Sequence, residues 1–396
     1  MTSTIVTPSV RFLSLRLAML CLLAAGASVP DAAAERSSNP SAQAPPPAGV
    51  IVTPRFGGEI LGYGVDPFGS QGLLSESVQL SGGEVLAATE TFDLSTGQIV
   101  NVLEMIQTPS NDFDTTGVFG RIGLVLYQHN GQGFYFTVNP VESTGFRNFW
   151  TPPIRSGYQI GAVSGTHLDA RLVADQFSFN TDNTYVFSSN LANDSFGPQI
   201  SLQPIIDGTL FFQPLVAYDN LANRAVLADS FGCPQPTCTT SMAIVDLTTG
   251  SINKFNDGLG VGTVDGVAVD PVTKIACVTS SIDQAVQFYN LTTQTGFEVI
   301  IPNAGSALQA GLDVEFDPLH SLFLVSQYSS TGDPNNPQPR VYVYDEHGNV
   351  LETISGLQRI PVSPNTIAVN PMRRVGFLPV IVEPQHEALE LQSFSY

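Results

Sequence analysis

The sequence predicts an all-β protein, a β-propeller of seven blades with six as the alternative count, and three observations carry that prediction. Apolar runs of four to seven residues, rich in Val, Ile, Phe and Tyr, alternate with Gly, Asn, Asp and Pro clusters from Gly49 to Tyr396, with no sustained helical periodicity. Three consecutive segments align with one another: GVAVDPVTKIACVTSS from Gly266, DVEFDPLHSLFLVSQY from Asp313 and TIAVNPMRRVGFLPVI from Thr366. In each, a β run ends in Asp or Asn, Pro follows, and a second apolar run starts five residues after that anchor. The anchors Asp270, Asp317 and Asn370 stand 47 and 53 residues apart, the size of a four-stranded blade.

Burial explains why such units should form a ring. One four-stranded sheet cannot cover both of its faces, whereas sheets stacked face to face around an axis bury each other's apolar sides and leave only short edges. The acidic turns are then expected to face solvent. A pair of β-sandwiches or a β-helix is the competing arrangement.

Taken in order, residues 1 to 34 read as an export signal. Arg11 and Arg16 flank an apolar run from Leu17 to Val29, and Ala32-Ala33-Ala34 offers a cleavage site, with Ala25-Gly26-Ala27 a second candidate. The run is shorter than the about 20 residues of a spanning helix, so the expected product is secreted or periplasmic, with no membrane span after signal removal. Residues 35 to 48 are polar and Pro-rich and read as a disordered leader. Residues 49 to 396 read as a single propeller domain. Weaker copies of the repeat are centred on Asp66, near His129, on Asn180 and on Asp219. A second phase recurs at Asp93-Leu-Ser-Thr-Gly97, Asp246-Leu-Thr-Thr-Gly250, Asn290-Leu-Thr-Thr-Gln294 and Asp345-Glu-His-Gly348, read as the hairpin between third and fourth strands. The last unit, from Asn370, has room for three strands. Val50-Ile51-Val52 is the candidate fourth, closing the ring with a strand from each end of the domain.

Composition excludes other classes. Asp and Glu number 35 against 15 Lys and Arg, a formal net charge of −20, which repels phosphate backbones and excludes nucleic acid as a partner. Apolar residues make up 43% of the chain, too many for a disordered polyanion. Cys233 and Cys238 bracket a Pro-rich loop and suit a local disulfide in an oxidising compartment. Zinc is the rival for that pair, although no His lies nearby in sequence. Cys277, among Ile275, Ala276 and Val278, reads as a buried apolar thiol.

Position in the repeat singles out one set of polar residues. Five residues before the anchors stand Asp175, Asp265 and Asn365, with Asp313 one place later in its own repeat. If these open the innermost strands, their side chains gather at one mouth of the channel. Carboxylates with an amide oxygen make a hard oxygen set suited to Ca²⁺ or another divalent metal. A hydrated acidic channel whose Asp side chains cap turns is the alternative.

At Val264-Asp265-Gly266-Val267-Ala268-Val269-Asp270 and Ser363-Pro364-Asn365-Thr366-Ile367-Ala368-Val369-Asn370-Pro371 the chain resembles the NHL and YVTN-type propellers, and more faintly the gluconolactonase (senescence-marker-protein) family. The resemblance is clear from about residue 214 to 380. It implies a propeller without fixing a function. In the gluconolactonase family, residues matching Asp265 and Asn365 bind the catalytic metal. The first-blade glutamate of that family has only Glu59 as a candidate here.

No complete catalytic set stands elsewhere. Ser251-Ile-Asn-Lys254 has S-x-x-K spacing without a helix to carry it. Gly258, Gly260 and Gly262 do not complete a dinucleotide loop. Asn111-Asp-Phe-Asp114 opens like a calcium loop but has Gly123 where the bidentate Glu belongs. The expected function is therefore an exported, monomeric propeller that binds a protein or small-molecule ligand through loops at one channel end, residues 139–165 and 329–340 among them. The alternative is a divalent-metal-dependent lactonase or esterase.

Overall fold

Each apolar run is long enough for one strand and is followed at once by turn residues, so the chain pairs each run with the next. The structure is a computed structural model. It describes residues 49–67, 69–81, 84–108, 113–119, 122–129, 132–138, 147–150, 158–164, 171–176, 185–190, 195–196, 198, 200–202, 214–229, 242–255, 264–280, 285–301, 312–327, 339–358, 367–383 and 388–396. No helix occurs among them.

After β1 (Ile51–Val52), the first sheet holds β2 (Glu59–Val65), β3 (Gln71–Gln79), β4 (Val85–Asp93) and β5 (Ile99–Thr108). The second holds β6 (Phe113–Phe119), β7 (Ile122–His129), β8 (Gln132–Val138) and β9 (Arg147–Trp150). In the third, β10 (Tyr158–Ser164), β11 (Arg171–Gln176) and β12 (Tyr185–Asn190) run in order, and two short strands, β13 (Ser195–Phe196) and β14 (Ile200–Ser201), both pair with β12. The fourth holds β15 (Pro214–Asp219), β16 (Arg224–Asp229), β17 (Met242–Asp246) and β18 (Ile252–Phe255). The fifth holds β19 (Gly266–Asp270), β20 (Ile275–Ser280), β21 (Ala285–Asn290) and β22 (Thr295–Ile300). The sixth holds β23 (Leu312–Asp317), β24 (Leu322–Gln327), β25 (Arg340–Tyr344) and β26 (Val350–Ile354). The seventh places β27 (Ala368–Asn370), β28 (Val375–Glu383), β29 (Ala388–Ser395) and then β1 side by side, with Ile51 opposite Gln392 and Val52 opposite Leu391.

The described residues thus form seven antiparallel sheets. The first strand of each lies against the first strand of the next, from β2 through β6, β10, β15, β19 and β23 to β27, and β27 lies against β2. These are the innermost strands. The apolar cores sit between sheets, as stacking requires. One cluster joins Val226, Met242 and Ile244 of the fourth sheet to Val269, Val278 and Tyr289 of the fifth. The next joins Val286 and Phe288 to Phe316, Phe323 and Tyr344, with ring centroids 5.8 Å apart for Phe288–Phe323 and 5.0 Å for Phe316–Phe323. Truncating one such ring costs about 3–5 kcal/mol.

Strand boundaries follow the anchors. Second strands β3, β16, β20, β24 and β28 each begin five residues after Asp66, Asp219, Asp270, Asp317 and Asn370. Two upstream copies sit in a different phase. In the second sheet the turn near His129 joins the second and third strands, β7 and β8, and in the third sheet the run from Tyr185 is the third strand, β12. An Asn-Gly or Asn-Thr turn makes a hairpin between any two strands, so its spacing does not say which two.

The anchor side chains do not face solvent as their acidity suggests; Asp66, Asp219, Asp270, Asp317 and Asn370 are all buried. One oxygen of each later anchor holds the turn: Asp270 Oδ1 accepts the N–H groups of Val272 and Thr273 at 2.8 and 3.2 Å, and Asp317 Oδ1 those of Leu319 and His320 at 2.8 and 3.1 Å. The residue four places after each of the four later anchors is left-handed: Asn223, Lys274, Ser321 and Arg374 have φ between 51 and 61°.

The anchor's other atom reaches the next sheet. Lys274 Nζ donates to Asp219 Oδ2 at 2.8 Å, Tyr396 Oη to Asp317 Oδ2 at 2.9 Å, and Asn370 Nδ2 to the Asp66 carbonyl at 2.6 Å. Among the described residues, Asp270 Oδ2 is buried without a hydrogen-bond partner. A second buried pair ties the linker between β1 and β2 to the first sheet. Phe56 N–H and Gly58 N–H donate to the Glu76 carboxylate at 2.9 and 2.8 Å, and Arg55 N–H donates to Glu90 Oε2 at 3.1 Å. Burial, aided by the Glu76 charge, pushes the Glu90 carboxyl up to about 7 against the pull of the Arg55 N–H.

Candidate functional site

Of the four residues selected from the repeat, the structure brings two together. Asp265 immediately precedes β19 and Asp313 is the second residue of β23, at the same end of adjacent innermost strands. Asp313 Oδ2 accepts the N–H of Ile367, ahead of β27, at 2.8 Å. A Cβ on Gly266 would stand 2.8 Å from both Asp313 Oδ1 and the Val314 nitrogen, so the glycine of the Val264-Asp265-Gly266 motif is what lets β23 approach β19 here. One carboxylate of the sixth sheet therefore hydrogen-bonds ahead of the seventh and lies close against Gly266 of the fifth. Desolvation pushes it up to about 7; the N–H groups of Ile367 and Val314 oppose that rise and the Asp265 charge adds to it.

Asp175 lies elsewhere. It is in β11, the second strand of its sheet, opposite Gln159 of β10 and Val186 of β12, one strand out from the innermost position expected for it. The phase difference of the third sheet is the reason. Asn365 lies outside the described residues, as do Cys233 and Cys238 and most of the loops 139–165 and 329–340. Among the described residues no group of three or more His, Cys, Asp and Glu side chains is placed to hold a metal ion. Glu59 begins β2. Cys277 is fully buried in β20, and burial pushes its thiol well above the usual range.

The structure adds a residue that repeat position did not select. Glu315 shares the Asp313 face of β23, because side chains alternate along a strand. Val314 and Phe316 point the other way, into the core against the fifth sheet. Burial pushes Glu315 up to about 8, with the Asp313 charge contributing. Asp317 completes the row and accepts from Tyr396, whose phenol is raised by burial and by that carboxylate. The signal was present as Asp313-Val-Glu-Phe-Asp317, acids alternating with apolar residues. At its opposite end the fifth sheet borders a groove of about 440 Å³ lined by Thr273, Phe288, Asn290, Phe297, Glu346 and His347.

No family model matches this chain, and no curated protein does. Solved structures do. A chain of a mitotic checkpoint complex aligns over 91% of this chain and 97% of its own, with TM-score 0.55 and 12% identity. The Dos1 propeller covers 88% of this chain and 94% of itself at TM-score 0.55 and 9% identity. The chain is a β-propeller. A chain of hydrazine synthase from Kuenenia stuttgartiensis also aligns, over 87% of this propeller and 97% of itself, at TM-score 0.54 and 12% identity. At such identities the likeness speaks for architecture alone. No helix among the described residues is long and apolar enough to cross a membrane.

Proposed function

We propose that this chain is an exported, seven-bladed propeller, its ring closed by β1, that binds a protein partner through one end of the ring. The observation that carries the reading is a set of exposed apolar side chains at one repeat position. Leu221, Val272, Leu319 and Met372 each stand two residues after an anchor, in the turn between first and second strands, and are 67, 70, 55 and 59% exposed. Single exposed apolar residues are ordinary, but four at the same position of four successive blades form a patterned surface. The fold does not need them, since the anchors and left-handed residues already define these turns. That a propeller also occurs in the mitotic checkpoint complex is consistent with a binding role.

The test is a pull-down from the native compartment with the wild-type chain and with Leu221→Ser, Val272→Ser, Leu319→Ser and Met372→Ser combined. A partner retained by the first and lost by the second supports the reading; a partner retained equally by both removes this face from it. The adjacency of Asp265 and Asp313 favours a second reading, a divalent-metal-dependent hydrolase of lactones or esters. Calcium titration calorimetry decides it. No heat at millimolar Ca²⁺, and no lactone turnover sensitive to chelator, would end it.

A further inference from the structure

We propose that the groove between the fifth and sixth sheets binds a primary ammonium carried on an aliphatic stem, with Asp270 Oδ2 and the Glu346 carboxylate as its acceptors. The site stands apart from the exposed apolar turns assigned above to a protein partner and does not rest on them.

The neighbouring seams show what this position takes. Between the fourth and fifth sheets, Lys274 Nζ donates to both Asp219 oxygens at 2.9 and 2.8 Å. Between the sixth and seventh, Tyr396 Oη donates to Asp317 Oδ2 at 2.9 Å. Asp270 stands at the same place between the fifth and sixth. Its Oδ1 holds the turn, and its Oδ2 is buried with no hydrogen-bond partner among the described residues. The sixth sheet offers no equivalent donor. Ser321 occupies the left-handed position that Lys274 holds one blade earlier, and its side chain is too short to cross. Tyr396 directly follows Ser395, which lies opposite Val375 at the start of the second strand. Continuing the register of Phe323 with Tyr344 sets Asp345 opposite Leu322, so the residue at the Tyr396 position is Glu346. Asp270 therefore meets a second acceptor where Asp317 meets a phenol. A buried carboxylate oxygen without a donor is costly, and a ligand that supplies one recovers that cost.

The groove leads to this oxygen. Asp270 lies opposite Ile275 and Ile275 opposite Asn290, so the three side chains share one face of the fifth sheet. That face is the one packed on the sixth, because Ile275 lies against the cluster of Phe288, Phe316 and Phe323. Ile275 and Asn290 line the groove of about 440 Å³, together with Thr273, whose N–H Asp270 Oδ1 accepts at 3.2 Å. Glu346 and His347 form the side contributed by the sixth sheet. His347 Nε2 is 3.7 Å from Glu346 Oε1, beyond hydrogen-bond distance, and its ring is largely in solvent, so the Glu346 carboxylate keeps room for a further donor. Phe297 is 41% exposed and stacks on Phe288 with ring centroids 5.3 Å apart, which with Ile275 gives an apolar wall. An alkylammonium matches all of these features. Its three N–H donors answer two carboxylates, and its methylenes lie along the apolar wall as a lysine stem does. A calcium ion would need six or more oxygens and would make no use of that wall.

The probe is n-pentylamine, titrated calorimetrically near neutral pH in phosphate buffer free of Tris, with n-pentanol as the uncharged control. The wild-type chain is expected to bind the amine at least about tenfold more tightly than the alcohol. Ser321→Lys, which brings a built-in ammonium to the same oxygen, should weaken amine binding by about tenfold or more, and Glu346→Gln by about threefold or more. Both positions are at least partly exposed, and unaltered circular dichroism confirms intact folds. The inference is overturned if the wild-type chain binds no amine, if the alcohol binds as well, or if either variant binds the amine as tightly as wild type. Displacement of the amine by millimolar Ca²⁺ also overturns it, replacing the ammonium with a metal ion. Nα-acetyl-lysine methylamide separates the two sources of such a group: tighter binding than n-pentylamine points to a lysine side chain of a polypeptide, and weaker binding to a free amine.

Discussion

Asp270 offers a sharp test of how neighbouring blades are joined. Its equivalent one blade earlier, Asp219, receives Lys274 Nζ at 2.8 Å, and Lys274 occupies the left-handed position of the following turn with φ 61°. The residue at that position facing Asp270 is Ser321, with φ 52°, and its side chain is too short to repeat the contact. Ser321→Lys should carry an ammonium to the unpartnered Oδ2 without new backbone strain. A hydrogen bond to a charged group contributes about 1.5–3 kcal/mol, and ordering a lysine costs up to about 2 kcal/mol. The expected net gain is about 1 kcal/mol. At about 2.1 cal/mol/K of unfolding entropy per residue, that gain raises the melting temperature of a propeller of this size by about 1–2 °C. The converse, Lys274→Ala, should cost about 2–3 kcal/mol, less than the about 3–5 kcal/mol of a fully buried pair because Lys274 keeps 27% of its side chain in solvent. Calorimetric melting and urea titration of Ser321→Lys, alone and with Asp270→Asn, measure the coupling. A gain that persists with Asp270→Asn, or no gain at all, refutes the reasoning.

Three other outcomes follow from the same geometry. Glu90, Asp313 and Glu315 have folded-state values of about 7, 7 and 8, above the ordinary carboxyl range, so the folded chain holds protons that the unfolded chain releases. Their contribution is therefore most favourable at low pH and is lost as pH rises from about 4 through 8, at up to about 1.4 kcal/mol per pH unit for each proton. Urea midpoints at pH 5 and 8 read this, and Glu315→Gln should flatten the slope. Gly97 and Gly250 share the same left-handed turn position, φ 73° and 74°, but a Cβ on Gly97 would lie 2.1 Å from the Ile51 carbonyl while the nearest atom to one on Gly250 is 3.8 Å away. Gly250→Ala should cost about 1 kcal/mol, and Gly97→Ala clearly more, with β1 displaced and its amides exchanging faster. Thiol titration under native, non-reducing conditions should find Cys277 unreactive until the chain unfolds; if Cys233 and Cys238 are bonded, reductant alone releases two further thiols.

Much of this architecture was legible in the sequence because the propeller is local. Each hairpin is specified by its own turn, so Asp270-Pro-Val-Thr-Lys274 and Asp246-Leu-Thr-Thr-Gly250 could be assigned to their strand pairs from spacing, and the strands begin where that spacing placed them. The same locality explains the errors of phase. The turns near His129 and before Tyr185 fit any hairpin, which moved Asp175 from an innermost strand to the second one.

What the sequence by itself determined about this protein is its strands, its turns and the acidic anchors that close them. The tertiary structure decided what those anchors face. Asp219 meets Lys274, Asp317 meets Tyr396, Asn370 meets the Asp66 carbonyl, and Asp270 Oδ2 has no hydrogen-bond partner among the described residues, because each partner comes from the neighbouring blade at a distance no single repeat encodes. Asp313 likewise accepts from Ile367 and adjoins Gly266 only once stacking brings those two residues to it. Turn geometry is written within a few residues, whereas burial and charge environment exist only after the sheets have packed.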